Sequence, residues 1–334
     1  MKRINKLPFS EDILVVDDVE TKTGSIIKKL KEDILITLKR KGAVIGISGG
    51  IDSSVCLALA VKALGSDRVI GIMLPEKDSS TESRELALKL ASQLGVQTIE
   101  ENISAALEGI GCYRRRDEAV TAIFPEYEPA LHTMKIGINP ESINNNLPPV
   151  FSISIIDKNG TVKTKRLPPK EYLQIVAASN FKQRIRMSML YYHAECRYYA
   201  VVGTPNKHEH EQGFFVKYGD GGADVMPIVN LYKTQVYQLA EYLNIPQEIM
   251  ERTPTSDTYS AEQTQEEFFF QLPFKEMDLI WYGYENGYDP SEVAGIMGKK
   301  EEEIKTIYKN FSRKQKTTEY LRMFPLKGID SMQY

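Results

Sequence analysis

Ala43-Val44-Ile45-Gly46-Ile47-Ser48-Gly49-Gly50-Ile51-Asp52-Ser53-Ser54 is the stretch on which the reading of this chain turns. A short apolar run stops at SGGIDSS, and a second apolar, small-residue run, VCLALAVKAL, follows at once. That pattern predicts a buried strand, a glycine turn and a helix start. Two glycines let the backbone turn tightly and approach a ligand closely. The unpaired N–H groups at a helix N-terminus favour an anion, typically a phosphate. Ser48, Ser53 and Ser54 add hydroxyl donors, and Asp52 is placed to hold a metal ion against phosphates.

The surrounding pattern is α/β. Residues 20–41 form an apolar-striped helix pattern carrying Ile26, Ile27, Leu30, Ile34, Leu35 and Leu38. The first strand is expected at 43–47 and its helix at about 52–64. Arg68 to Leu74 reads as a second short buried strand, 82–95 as a helix ending at Gly95, and 96–99 as a third strand. Strand–helix–strand alternation implies a parallel sheet with right-handed crossovers. Ligands then sit at the carboxyl ends of the strands, where SGGIDSS lies. From about Cys112 to Ala178 the pattern breaks, and 113–178 is expected to be an inserted excursion with a β-hairpin at about 151–167, turning at Asp157-Lys-Asn-Gly160. Regular structure resumes with a helix at 180–196 and a strand at 198–202. A polar, Gly-rich loop then runs to Pro227, followed by a helix over YKTQVYQLAEYLN. A helical tail is expected over 290–334 of a single catalytic domain spanning 1–334.

The 334 residues suffice for one large core. Forty-two basic against 45 acidic residues leave a net charge of −3, which points to neither a nucleic-acid nor a membrane partner. No apolar run approaches the roughly 20 residues of a membrane span, and MKRINKLPFSED lacks a signal-peptide core. Three scattered cysteines give neither a zinc spacing nor a disulfide framework. The cytoplasm is the expected location.

SGGIDSS lacks the Gly-Lys-Ser/Thr of a Walker A loop and the spacing of a dinucleotide fingerprint. It resembles the PP-loop of ATP pyrophosphatases, which cleave ATP between the α and β phosphates. The block GTPNKHEHEQGFFVKYGDGGADVMPIVNLYKTQVYQLAEYLNIP (203–246) narrows the resemblance to the NAD synthetases of the ammonia-dependent type. Asn180-Phe-Lys-Gln-Arg184-Ile-Arg186-Met187 is similar to that family's N-x-x-x-R-x-R-M helix, and Leu74-Pro75 with Ser79, Ser80 and Ser83 to its second-strand loop. The resemblance implies an adenine nucleotide alpha hydrolase-like doubly wound sheet. It implies that ATP adenylates the carboxylate of deamido-NAD and that ammonia then yields NAD, AMP and pyrophosphate. By the same resemblance Ser48, Gly49, Gly50, Asp52, Ser53, Ser54, Thr204, Lys233 and Thr255 bind ATP. Asp52 and Glu209 hold Mg2+, Arg184, Lys217 and Asp220 contact the acid, and Asp52, Lys233 and Asp220 are the catalytic set. The family also implies a homodimer.

Each assignment has a plainer reading beside it. Asp52 could cap its helix. Glu209 and Lys217 on their own read equally as exposed loop charges. Arg184 and Arg186 could simply be solvated, and His208 and His210 are more often loop polarity than ligands. Lys233 near a helix start opposes the dipole, which argues for an anion nearby. Phe268-Phe269-Phe270, Trp281, Tyr282 and Tyr284 are expected in a core or subunit interface. Three departures touch the acid-binding side. They are the 113–178 insertion, SDTYSAEQTQEEFFF after Pro254-Thr255, and Arg313-Lys314 where the family has His-Lys. They leave open an alternative: a relative that amidates another carboxylate, such as a sugar acid or a biosynthetic intermediate. No glutaminase module is evident, so nitrogen is expected from free ammonia or a separate glutaminase.

Overall fold

The computed structural model describes residues 7–138, 151–254, 258–261, 263–264, 269–270 and 272–327. Its centre is a four-stranded, wholly parallel sheet in the order β3-β2-β1-β7. The strands are β1 (Ala43–Gly46), β2 (Val69–Met73), β3 (Gln97–Glu100) and β7 (Ala200–Val202). The chain fills the sheet outward from β1 through β2 to β3, then returns to the other side of β1. That reversal is a topological switch point, and the turn after β1 opens there.

Alternation along the strands sends side chains to two cores. Ala43, Ile45, Ala200 and Val202 join one buried cluster with α1 (Val19–Glu32) and α2 (Ile51–Leu64). Val44, Ile70, Ile72 and Val201 face the other, with α4 (Ser104–Gly109), α5 (Cys112–Ile123) and α6 (Pro169–Glu195). The doubly wound arrangement expected from the alternation is therefore present. α3 (Thr81–Gln93) completes the crossover between β2 and β3. The helix read over 20–41 runs as α1 to Glu32 and continues in π-type turns over Asp33–Thr37.

The described residues of the 113–178 stretch carry more regular structure than the sequence reading expected. It begins with α5, whose buried positions Tyr113, Arg116, Ala119 and Val120 recur at helical spacing beneath a run of charges. The hairpin of β5 (Phe151–Asp157) and β6 (Val162–Arg166) turns at Gly160, where φ is +81°. It gains a third antiparallel strand, β4 (His132–Ile138). Met134, Ile136, Ile153 and Ile155 bury one face of this sheet in its own cluster. The helix expected from 180 starts at 169, because Pro169 suits a first helical turn.

The loop expected over 203–227 contains a short helix, α7 (Lys207–Gln212). Then come α8 (Lys233–Tyr242), α9 (Gln247–Glu251), α10 (Phe274–Glu285), α11 (Pro290–Met297) and α12 (Glu301–Arg322). The last helices form a fourth cluster around Met277, Ile280, Trp281, Val293, Ile304 and Phe311, together with Phe9 and Leu14 from the N-terminal segment. Phe269, Phe270, Tyr282 and Tyr284 pack in or against this cluster, as expected of core aromatics; Phe268 lies outside the described residues. Among the described residues, no helix is long and apolar enough to cross a membrane.

Candidate active site

A cavity of about 650 Å3 opens at the carboxyl ends of β1, β2 and β7, a size ordinary for a small-molecule site. Its floor is the SGG turn. Gly49 sits at φ +69°, and a Cβ there would lie 2.5 Å from the Ser83 carbonyl oxygen. Glycine is therefore required, both for its backbone angle and for contact with the helix that follows β2. Gly50 caps α2 without any side-chain cap bond, so the first N–H groups of this 14-residue helix point toward the cavity end unclaimed by a capping side chain. The local bonds are long and exchangeable: Gly50 N–H donates to Ser48 Oγ at 3.3 Å, and Ser48 N–H to Ser53 Oγ at 3.3 Å. A phosphate oxygen would compete well for such donors.

Beside the turn lies a cluster of charge. The Lys233 ammonium, wholly buried at the first position of α8, pairs with the Asp52 carboxylate. Asp52 is thus not the helix cap, and the anion expected near Lys233 is Asp52 itself. Asn206 ties in a second carboxylate: its N–H donates to Glu209 Oε2 at 3.0 Å and its Nδ2 to Asp52 Oδ1 at 3.4 Å. Glu209 is half-buried on α7, in a reciprocal capping arrangement with Asn206, not on an exposed loop. Burial, and then the Asp52 charge, raise the Glu209 carboxyl well above its ordinary range, with Lys233 pulling the other way. Burial opposes the Lys233 charge, but Asp52 and Glu209 more than offset it and hold the ammonium above its usual value.

The structure sorts the remaining expected residues. Ser48, Gly50, Asp52, Ser53, Thr204, Glu209 and Asp220 line the cavity. Ser54 does not: it is buried and spends its hydroxyl on the Gly50 carbonyl at 2.8 Å, as helical serines do. Gly49 also lies off the lining and contributes geometry alone. Asp220 accepts from Val216 N–H at 2.8 Å, and burial pushes it up to about 6 against that bond. Arg184 is exposed and lies outside the lining, donating to the Lys217 carbonyl, while Arg186, two residues on and on the opposite side of the helix, lines the cavity. Lys217 also lies outside it, with its ammonium on the Tyr320 and Met323 carbonyls at 2.8 and 3.0 Å. Thr255 lies outside the described residues. His208 is not loop polarity but a fully buried side chain, and His210 stacks on Phe215.

Sequence reasoning missed a buried network on the opposite wall. Lys182 Nζ, 2 % exposed, donates to Glu76 Oε1 at 2.9 Å and Asp78 Oδ2 at 2.8 Å. Arg116 reaches Asp78 at 2.7 Å, and Tyr113 O–H donates to Glu76 at 2.7 Å. Burial works against the Asp78 charge, yet Lys182 and Arg116 more than offset it and hold the carboxyl below its ordinary value. These bonds fasten the loop after β2, which lines the cavity with Pro75, Ser79 and Ser80, to α5 and α6. The signal was available: Ser179, Lys182 and Arg186 fall at i, i+3 and i+7 of one helix, and all three line the cavity.

A family model described as NAD synthase matches residues 24–121 and 143–324. An NH(3)-dependent NAD(+) synthetase of Mesorhizobium japonicum is 47% identical over 313 residues, covering 94% of this chain and 98% of the relative. Its counterpart in Rhizobium meliloti is 43% identical over 96% of this chain and 95% of its own length. Another from Thermotoga maritima is 36% identical over 83% and 94%. Among solved structures, an NH3-dependent NAD synthetase of Campylobacter jejuni aligns with a TM-score of 0.60 at 20% identity, covering 94% of this chain and all of that one. An NMN synthetase of Francisella tularensis aligns with a TM-score of 0.60 at 22% identity, covering 93% and 98%. These two likenesses concern the fold. With a glycine turn, a paired Asp52 and Lys233 and a nearby Glu209 at the switch point of its sheet, the chain belongs to the NAD synthase family.

Proposed function

We propose that this chain is an ATP-dependent amide synthetase that adenylates the carboxylate of deamido-NAD and transfers ammonia to it, giving NAD, AMP and pyrophosphate. The observation that carries the reading is the convergence of the SGG turn, Asp52 and Glu209 on one cavity at the sheet's switch point, with the buried Lys233 paired to Asp52 just behind the lining. A carboxylate resists ammonia because its charge and resonance oppose attack. Adenylation removes that obstacle. The carboxylate oxygen attacks the α-phosphorus, the bond to the β-phosphate oxygen breaks, and pyrophosphate leaves with the electron pair. Ammonia then attacks the acyl carbon, AMP departs, and the surplus proton passes to solvent or buffer.

Charge accumulates on the departing pyrophosphate, so the groups that meet it matter most. The open N-terminus of α2 and the hydroxyls of Ser48 and Ser53 supply donors, and Lys233 supplies a buried positive charge. Two carboxylates share that one lysine, and the uncompensated charge contributes to the raised Glu209 carboxyl. A divalent cation relieves such a surplus, and magnesium takes one or two carboxylates with phosphate and water oxygens. Asp52 and Glu209 would hold it, and when bound it supplies charge neutralisation to the phosphates. On the acid side, Asp220 and Arg186 line the same cavity. Arg184 and Lys217 stand outside it, where they suit a substrate shared with a second copy, and we infer a homodimer on the family's precedent. The consumption of ATP suits a cytoplasmic setting, with ammonia taken free or from a separate glutaminase.

Incubation with ATP, Mg2+, ammonium and deamido-NAD is expected to yield NAD, AMP and pyrophosphate in equal amounts. The Asp52→Asn variant should keep its circular dichroism spectrum and lose at least 100-fold in turnover. Folded wild-type protein that makes no NAD, or that releases pyrophosphate only with some other acid, would replace this reading.

A further inference from the structure

Glu209 and Lys233 come from different elements, and both elements are bonded to a third. α7 is a six-residue helix, and α8 begins directly after a loop. Both are tied to one face of α10. Asp278, wholly buried on α10, takes His208 Nε2 on Oδ1 at 2.6 Å and the Thr234 N–H on Oδ2 at 2.7 Å. His208 precedes Glu209, and Thr234 follows Lys233. Seven residues on, at the same face of α10, Glu285 repeats the pattern: Oε1 takes Lys207 Nζ at 2.7 Å and Oε2 takes the Tyr232 O–H at 2.7 Å. The two carboxylates therefore grip the two residues before Glu209 (207 by Glu285, 208 by Asp278) and both flanks of Lys233 (232 by Glu285, 234 by Asp278).

The bonding leaves His208 one consistent arrangement. Its Nδ1 faces the Gln212 amide at 3.2 Å, where the amide nitrogen donates, so the ring proton sits on Nε2 and points at Asp278. Tyr232 and Trp281 meet the ring edge-on at 5.7 and 5.5 Å and fix its plane. The Thr234 N–H is one of the helix-start donors that α8 cannot satisfy internally, so Asp278 also caps α8 from another helix. A buried carboxylate with every bond spoken for is a rigid fixture, because any displacement leaves buried polar groups unpaired.

We propose that Asp278, through His208 and the start of α8, is the positioning residue that sets Glu209 and Lys233 at the spacing the Mg·ATP phosphates require, with Glu285 as its exposed-side counterpart. It touches no substrate. The proposal rests on the reading of Glu209 and Lys233 as phosphate-site residues, and extends it to a helix that lines none of the cavity.

The test measures binding of α,β-methylene-ATP with Mg2+ by calorimetry, alongside turnover and melting temperature, on the full chain. Asp278→Ala is expected to weaken analogue binding at least fivefold and to lower kcat/KM for ATP more than tenfold. Asp278→Asn, which keeps an acceptor for the Thr234 N–H, should fall between it and wild type. Leu279→Ala, on the same helix and buried in its core, should lower the melting temperature and leave analogue affinity per folded molecule unchanged. Combining Asp278→Ala with Lys233→Met should cost clearly less than the product of the two single losses, since Asp278 acts in part through Lys233. The proposal falls if Asp278→Ala affects only melting, as Leu279→Ala does, or if the double variant loses the product of the two single losses. Wild-type protein that binds the analogue yet makes no NAD would sink the proposed reaction and leave the positioning result standing. Wild-type protein that does not bind it overturns both.

Discussion

At the scale of single residues, burial decides which charges matter. Lys314 illustrates a charge the fold tolerates at a cost: burial, with Arg313 beside it, lowers its ammonium to about 7 from an ordinary 10.5. Its Nζ donates to the Phe269 carbonyl at 2.9 Å and lies over the Phe269 ring. The sign follows from proton counting. Above about pH 7 the folded chain carries a neutral amine while the unfolded chain stays protonated to about pH 10.5. The unfolded state thus binds more protons, and stability rises with pH through that window. Lys314→Met should remove that rise. Denaturant titrations at pH 6.5 and 9.5 check it: wild type should gain stability relative to the variant on going to the higher pH, and an unchanged difference would show that the amine is not desolvated. The same rule explains what was legible in sequence at this scale. Asp52, Glu209 and Lys233 were singled out because their neighbours form a distinctive string, and the fold sets them side by side. His208 was passed over because two histidines flanking a glutamate read as loop polarity, and nothing in one dimension announces Asp278, seventy positions away.

Elements were legible wherever periodicity and burial coincide. β1, β2 and β7 are short apolar runs, almost wholly buried, and were placed within a residue or two; the edge strand β3 is polar and half-exposed and was placed one residue early. α5 was missed because three arginines and an aspartate mask its buried face, and β4 because its pairing partner is distant in sequence. The loop after β2 shows how an element without internal ladder bonds is held. Glu76 and Asp78 have almost no exposure and depend on Lys182 and Arg116 for compensation. Replacing Lys182 by Met keeps the volume and strands the two carboxylates. Breaking a buried pair on one side costs about 3–5 kcal/mol, whereas the whole pair is worth far less. Lys182→Met should therefore lose about that much in urea unfolding and also raise KM for ATP, because Pro75, Ser79 and Ser80 line the cavity. Replacing Lys182, Glu76 and Asp78 together by apolar residues should restore much of the stability. A single variant as stable as wild type would show that the network carries no net charge compensation.

Across the whole molecule, the cavity joins the parallel sheet to residues packed on the antiparallel one. The parallel sheet supplies the floor with its turn, while residues packed against the antiparallel sheet supply part of a wall. Tyr172, stacked on Phe151 of β5 at 4.1 Å, and Tyr259, buried in the inserted sheet's cluster, both line the cavity. The segment of Tyr259 is fastened to β4 by the Ala261 N–H to the Met134 carbonyl at 3.0 Å and the Met134 N–H to Ser260 Oγ at 2.9 Å. The inserted sheet buries its own cluster, separate from the two that flank the parallel sheet. Stability in such an arrangement is regional. Ile153→Ala removes a fully buried side chain from the inserted cluster, a change that costs about 2–5 kcal/mol in a packed core. The loss should stay local: hydrogen exchange is expected to accelerate across β4, β5, β6 and the amide of Ala261, with β1 and β2 unchanged. Binding of α,β-methylene-ATP should weaken in parallel even though the SGG turn is untouched, because its cavity has lost a fixed wall. Equal acceleration in β1 would mean that the two sheets unfold as one unit. Accelerated exchange in the insertion with unaltered affinity would mean that Tyr172 and Tyr259 stand beside the nucleotide without shaping its site.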